Sequence, residues 1–198
     1  MIPQLHSIAI YCGSASGNNE KYIHAATLFG KRCAQEGLTL YYGGAKIGIM
    51  YAAAHAAMQA GGTVIGIVPD FFSKEVVVAA DITQLVYVQT MSERKQMIER
   101  LADAFVIFPG GYGTLDELFE MATDAQLNKH HKPIVIFNQD GYYDLIIKQL
   151  DFCVQEGFIR PFHHHLIQVT SSIDGIFDCL RNFENPNDPD WIHKHIHE

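Results

Sequence analysis

Two short segments carry most of the chemistry that this sequence can do. The first is Pro109-Gly110-Gly111-Tyr112-Gly113-Thr114-Leu115-Asp116-Glu117. Glycines let backbone N–H groups approach an anion, and a helix opening just after them adds partial positive charge. Such a loop suits a phosphate, and Glu117 places a carboxylate beside it. The spacing Thr114-x-x-Glu117 also matches a capping box, in which Glu117 satisfies an amide of the first helical turn. Capping alone leaves the preceding glycines unexplained.

The second segment is Met91-Ser92-Glu93-Arg94-Lys95-Gln96-Met97-Ile98. On a helix, Met91, Ile98, Leu101 and Ala102 form an apolar stripe, and Arg94 and Lys95 fall within it. A cation aimed at a core or cleft needs a partner, which a phosphate or a carboxylate supplies. The alternative is that both side chains snorkel outward from the stripe edge.

Strands and helices must position these segments, and the pattern alternates between them. Ser7 to Cys12 reads as a buried strand, Tyr22 to Glu36 as a helix ended by Gly37, and Leu38 to Tyr42 as a second strand. An Ala-rich helix runs to about Ala60, and Thr63 to Val68 is the third strand. Asp70 to Asp81 reads as an irregular, mobile segment. Leu85 to Val88, Ala104 to Phe108, Ile134 to Phe137 and Leu166 to Val169 are further strands. Ser92 to Ala102, Thr114 to Leu127, Tyr142 to Glu156 and Ile173 to Phe183 are the helices between and after them. Nearly continuous apolar strands alternating with helices predict an α/β fold. It is a Rossmann-like, doubly wound parallel sheet flanked by helices, in one domain over residues 1–184. A polar tail, 185–198, is expected to fray from Asn185 onward.

Ligands on such sheets bind beyond the carboxyl ends of the strands. Three glycine-containing loops fall there, after Cys12, Tyr42 and Phe108. None is G-x-G-x-x-G or G-x-x-x-x-G-K-[ST], so dinucleotide binding and P-loop chemistry lose support. Three such loops at one sheet edge favour a phosphate-bearing ligand over glycines that merely make tight turns.

Composition narrows the class. The chain has 198 residues, with 14 basic and 22 acidic ones, for a net charge of −8. That balance argues against nucleic acid and anionic membranes as partners. No apolar run has membrane-spanning length, and Ile8 to Cys12 is strand length without a basic leader. The four cysteines, Cys12, Cys33, Cys153 and Cys179, form no C-x-x-C pair and read as reduced thiols of a cytoplasmic protein. His163-His164-His165 and His193-Lys194-His195-Ile196-His197 read as loop and tail residues rather than metal ligands.

The two chemical segments together resemble the Lonely Guy family of cytokinin riboside 5′-monophosphate phosphoribohydrolases, once called putative lysine decarboxylases. The family's marks are P-G-G-x-G-T-x-x-E and an M-x-x-R-K helix start. The likeness extends through Tyr11-Cys12-Gly13-Ser14, Tyr42-Gly43-Gly44, Gly48-Ile49-Met50, Ala125-Gln126-Leu127 and Asp140-Gly141-Tyr142-Tyr143. Departures are Ala45 where a third glycine is common, Asp116 where glutamate is usual, and Asp124 where tryptophan often stands. The resemblance implies hydrolysis of the N-glycosidic bond of a nucleoside 5′-monophosphate to free base and ribose 5-phosphate, with no cofactor or metal. It makes Arg94 and Glu117 the catalytic pair, with Glu117 stabilising an oxocarbenium-like state and orienting water. It assigns substrate binding to Gly13, Ser14, Gly43, Gly44, Glu75, Lys95, Gly110, Gly111, Tyr112, Gly113, Thr114, Leu115, Asp116 and Thr123. It also implies a homodimer with composite active sites. Two other readings stand beside it: a general AMP nucleosidase using the same residues, and a nucleotide-sensing module without turnover. Amino-acid decarboxylation lacks a recognisable cofactor lysine site.

Overall fold

The computed structural model describes residues 5–74 and 78–187. Seven parallel strands form one sheet: β1 (Ser7–Tyr11), β2 (Thr39–Tyr42), β3 (Val64–Pro69), β4 (Gln84–Val88), β5 (Phe105–Ile107), β6 (Ile134–Phe137) and β7 (Ile167–Thr170). Their order is β4-β3-β2-β1-β5-β6-β7. The expected doubly wound architecture follows. β1 shows why: Ile8 and Ile10 point into one apolar layer, Ala9 and Tyr11 into the other. Strands buried on both faces need helices on both.

Helices α1 (Lys21–Gln35), α2 (Gly48–Gln59) and α7 (Ile173–Arg181) cover the first face, through residues such as Phe29, Ala53 and Phe177. Helices α3 (Met91–Leu101) and α4 (Tyr112–Gln126) cover the second, through Ile98, Leu118 and Met121. On that face α5 (Asp144–Gln155) adds Ile146 and Ile147. The chain winds outward in opposite directions from β1 and β5. The loops after these two strands therefore diverge and leave a crevice at their carboxyl ends. Gly13 N–H donates to Pro109 O at 3.0 Å and stitches the two loops together below it.

Several boundaries differ from the sequence reading. Part of the segment expected to be irregular is ordered: Asp70–Lys74 winds into a short 3-10 helix, and Val78 pairs with Ala45 in an antiparallel bridge. A short helix α6, Pro161–His164, stands where a loop was expected, because Pro161 fits the first helical position. Fraying does not begin at Asn185. Asn187 is buried, and its amide donates to Ala125 O at 2.8 Å and Asn128 Oδ1 at 2.7 Å. Residues 188–198, with the second histidine group, lie outside the described residues. No helix among the described residues is long and apolar enough to cross a membrane.

The Ala-rich face of α2 lets it approach α1 closely. A Cβ built on Gly30 would lie 2.0 Å from Ala53 O. Gly30→Ala must push the helices apart, and urea denaturation should show a loss of about 2–3 kcal/mol.

Candidate active site

The site is built where α3 and α4 meet below the crevice. Thr90 starts α3: its Oγ1 accepts from Glu93 N–H at 3.1 Å, while Glu93 Oε2 accepts from Gln89 N–H at 2.7 Å. This reciprocal cap fixes the first turn of α3, so the next residue, Arg94, faces the crevice. The capping box that the spacing of Thr114 and Glu117 also allowed does not form. α4 opens earlier, at Tyr112, with Gly111 as an N-cap that has no side-chain bond. Thr114 is thus the third helical residue and Glu117 lies in the second turn, facing inward.

Arg94 Nη2 donates to Glu117 Oε1 at 2.5 Å. The two side chains are only 11% and 7% exposed. Arg94 Nε is buried with no acceptor among the described residues. Gly43 makes room for this guanidinium, since an added Cβ would lie 3.2 Å from Nη2 and 3.3 Å from Met50 Sδ. Burial pushes the Glu117 carboxyl up to about 7; Arg94 pulls it back and neighbouring Asp116 pushes it further up. Burial disfavours the charged form more strongly than the single cation favours it.

Above the pair lies a cavity of about 380 Å³. Gly13, Ser14, Gly43, Gly44, Arg94, Gly111, Tyr112, Gly113, Thr114, Asp116 and Glu117 line it, as their place in the sequence suggested. Gly44 has a φ of +76°, and a Cβ there would strike Val68 at 2.1 Å. Gly110 is buttress rather than lining: its Cβ would lie 2.1 Å from Thr114 Oγ1 and 2.8 Å from Gly13 N. Gly111 and Gly113 are different, because nothing lies within 4 Å of a Cβ built on either. The fold does not need glycine at these two positions. An anion drawn close to the α4 N-terminus does.

Three other expected residues lie elsewhere. Lys95 turns away from the cavity and pairs with Asp116 at 2.9 Å and Glu120 at 2.6 Å. Leu115 packs into the apolar layer beneath α4. Thr123 lines surface grooves along the outer flank of α4. Glu75 lies outside the described residues.

The sequence reading missed the apolar lining, made by Ile47, Met50, Val68, Phe72 and Val78 together with Cys12, Ala45 and Met91. These come from several separate segments. The one signal available was their position at or just after the carboxyl ends of β1, β2, β3 and β4. It also missed what Tyr142 and Tyr143 do. Their hydroxyls donate to Gly110 O at 2.8 Å and Phe108 O at 2.7 Å, tying down the glycine loop.

No cluster able to hold a metal ion exists among the described residues. His163 Nε2 donates to Asn187 Oδ1 at 2.9 Å and His164 Nε2 to Asp151 Oδ1 at 2.8 Å, so two of the three consecutive histidines hold α6 in place.

The chain is similar to known proteins along most of its length. The family described as "Possible lysine decarboxylase" matches residues 50–180. The chain is 43% identical over 160 residues to the cytokinin riboside 5′-monophosphate phosphoribohydrolase LOG of Oryza sativa subsp. japonica, covering 81% of this chain and 66% of the relative, just under two thirds of its length. It is 36% identical to the cytokinin riboside 5′-monophosphate phosphoribohydrolase of Rhodococcoides fascians, covering 91% of each. The fold is also that of the molybdenum cofactor binding protein of Rippkaea orientalis, with a TM-score of 0.68 and 21% identity over 89% of this chain and 95% of that one.

The glycines divide into two classes that substitution should separate. Gly113→Ala places a better helix former in the first turn of α4 and should raise stability by up to about 1 kcal/mol, while affinity for inorganic phosphate falls about tenfold or more. Gly110→Ala should cost about 1–3 kcal/mol through the Thr114 and Gly13 clashes. Thermal unfolding with and without inorganic phosphate measures both.

Proposed function

The chain belongs to the Lonely Guy family, the group described as possible lysine decarboxylases, and from that premise we propose that it hydrolyses the N-glycosidic bond of nucleoside 5′-monophosphates. Water adds across the bond: the hydroxyl goes to C1′, the C1′–N bond breaks, and the base leaves with a proton on its ring nitrogen. The products are free base and ribose 5-phosphate. The observation that carries this reading is the buried Arg94–Glu117 pair lying under the open glycines of the α4 N-terminus.

Each part has a physical task. The 5′-phosphate sits against the Gly111–Gly113 amides, where the helix dipole favours negative charge. That places the anomeric carbon near Glu117, one turn further along. Ionised Glu117 stabilises positive charge developing on the ribose and orients the attacking water. Arg94 holds the carboxylate in one rotamer and keeps further donors for the ligand. The base lies toward Ile47, Met50, Val68, Phe72 and Val78. Such a wall suits a base with an apolar N6 substituent.

The acting unit is a homodimer with composite sites. Tyr112 is 94% exposed at the cavity rim, and Leu145 and Phe152 on α5 are 80% and 53% exposed, an apolar surface suited to a second copy. The cytoplasm is the proposed location, in keeping with four unpaired cysteines.

The direct test follows base release by chromatography from AMP and from N6-isopentenyl-AMP. Release from both, faster for the isopentenyl nucleotide, is expected. Release from AMP alone indicates a general nucleosidase, and binding without release indicates a sensing module. Glu117→Gln should lose about a thousandfold in kcat while still binding AMP, and Arg94→Ala should lose both. Since ionised Glu117 is the active form, kcat/KM should rise with pH up to about 7 and then level off.

Light scattering should report about twice the 22.2 kDa chain mass. Leu145→Lys with Phe152→Glu should give monomers.

A further inference from the structure

Two consecutive cations on α3 face two consecutive carboxylates on α4, in reversed order. Arg94 pairs with Glu117 and Lys95 with Asp116. The first pair is buried beneath the cavity. The second differs in a way that defines its role. Lys95 is only 15% exposed, lies outside the cavity, and is held by two carboxylates, Asp116 and Glu120. Asp116 is 58% exposed and lines the cavity itself. The lysine is committed on that flank to the two carboxylates. It holds Asp116, whose Oδ2 takes the ammonium and whose Oδ1 has no hydrogen bond among the described residues.

We propose that Lys95 is a positioning residue and that Asp116 is the specificity-determining acceptor for the ribose hydroxyls, selecting ribonucleotides over 2′-deoxyribonucleotides. The inference rests on the hydrolase reading above and deepens it. Asp116 precedes Glu117 on the same turn of α4. A sugar placed with C1′ over Glu117 therefore presents its 2′ and 3′ hydroxyls to the neighbouring side chain. A carboxylate accepts from such hydroxyls, as acidic residues do at ribose 2′-OH groups in dinucleotide sites. A freely rotating aspartate at the rim loses rotamer entropy when it does so. The Lys95 clamp, itself anchored by Glu120, removes that freedom beforehand.

The test measures kcat/KM for AMP and for 2′-deoxy-AMP in the wild type, Asp116→Asn, Lys95→Met, Lys95→Arg and the double variant Asp116→Asn with Lys95→Met. Wild type should favour AMP by about tenfold or more. Asp116→Asn and Lys95→Met should each bring the ratio toward one, the double variant should go no further than Asp116→Asn alone, and Lys95→Arg should restore part of the preference. A ratio unchanged in Asp116→Asn overturns the proposal. So does an equal loss for both nucleotides in Lys95→Met, which would make Lys95 a phosphate or fold residue. Should the wild type release base from neither nucleotide, the hydrolase reading falls, and calorimetry then decides this inference separately. Tighter binding of AMP than of 2′-deoxy-AMP in the wild type, lost in Asp116→Asn, supports it; equal binding overturns it.

Discussion

The buried contact between Arg94 and Glu117 is the constraint around which the rest is arranged. Each ion loses several kcal/mol of hydration on burial, and only good geometry returns it. The structure supplies that geometry from three directions. Thr90 and Glu93 fix the start of α3 so that Arg94 points inward. Gly43, after β2, gives up a side chain so that the guanidinium fits. The early opening of α4 at Tyr112 turns Glu117 toward it. Even so, the carboxyl remains raised to about 7, so the protein holds this group in a state that burial alone would neutralise. Such a group is uneasy in the folded chain and useful to a reaction that develops positive charge beside it.

The glycine loop depends on a second layer of support. Its carbonyls at Phe108 and Gly110 are taken by two tyrosine hydroxyls, and Gly110 is wedged between Thr114 and Gly13. The amides that face the cavity are therefore aimed before any ligand arrives. Fixed dipoles of this kind need no reorganisation when an anion binds beside them. Position on the sheet adds to this. The crevice between β1 and β5 exists because the chain winds away from it on both sides, so the open space comes from topology and not from a missing side chain.

Much of this was legible in the sequence because it is local. Strand runs, helix stops and the glycine loops are decided by neighbours in the chain, and the segments from Pro109 and from Met91 announce both side chains of the buried pair. What was misread depends on partners far away in sequence or on where a helix begins. The start of α4 was placed at Thr114 because that residue is a good N-cap, yet the helix starts at Tyr112, a start that Tyr-Gly does not advertise. Lys95 looked like a ligand contact because its two partners sit on another helix. The apolar lining is assembled from the ends of β1, β2, β3 and β4 and the segment after β3, none of which is apolar enough alone to suggest a pocket. Asn187 sits in a stretch as polar as any tail, and only its fit against the end of α4 gives it a place.

Gly111 and Gly113 occupy open space, and the fold makes no demand on them. Selection for stability therefore does not hold glycine at these positions. A lineage that ceased to need the activity could acquire side chains there without shedding protein to proteolysis. It would persist as an abundant, well-folded chain free to be recruited to another ligand. The scaffold thus separates the capacity to fold from the capacity to bind, and leaves descendants room to change one while keeping the other.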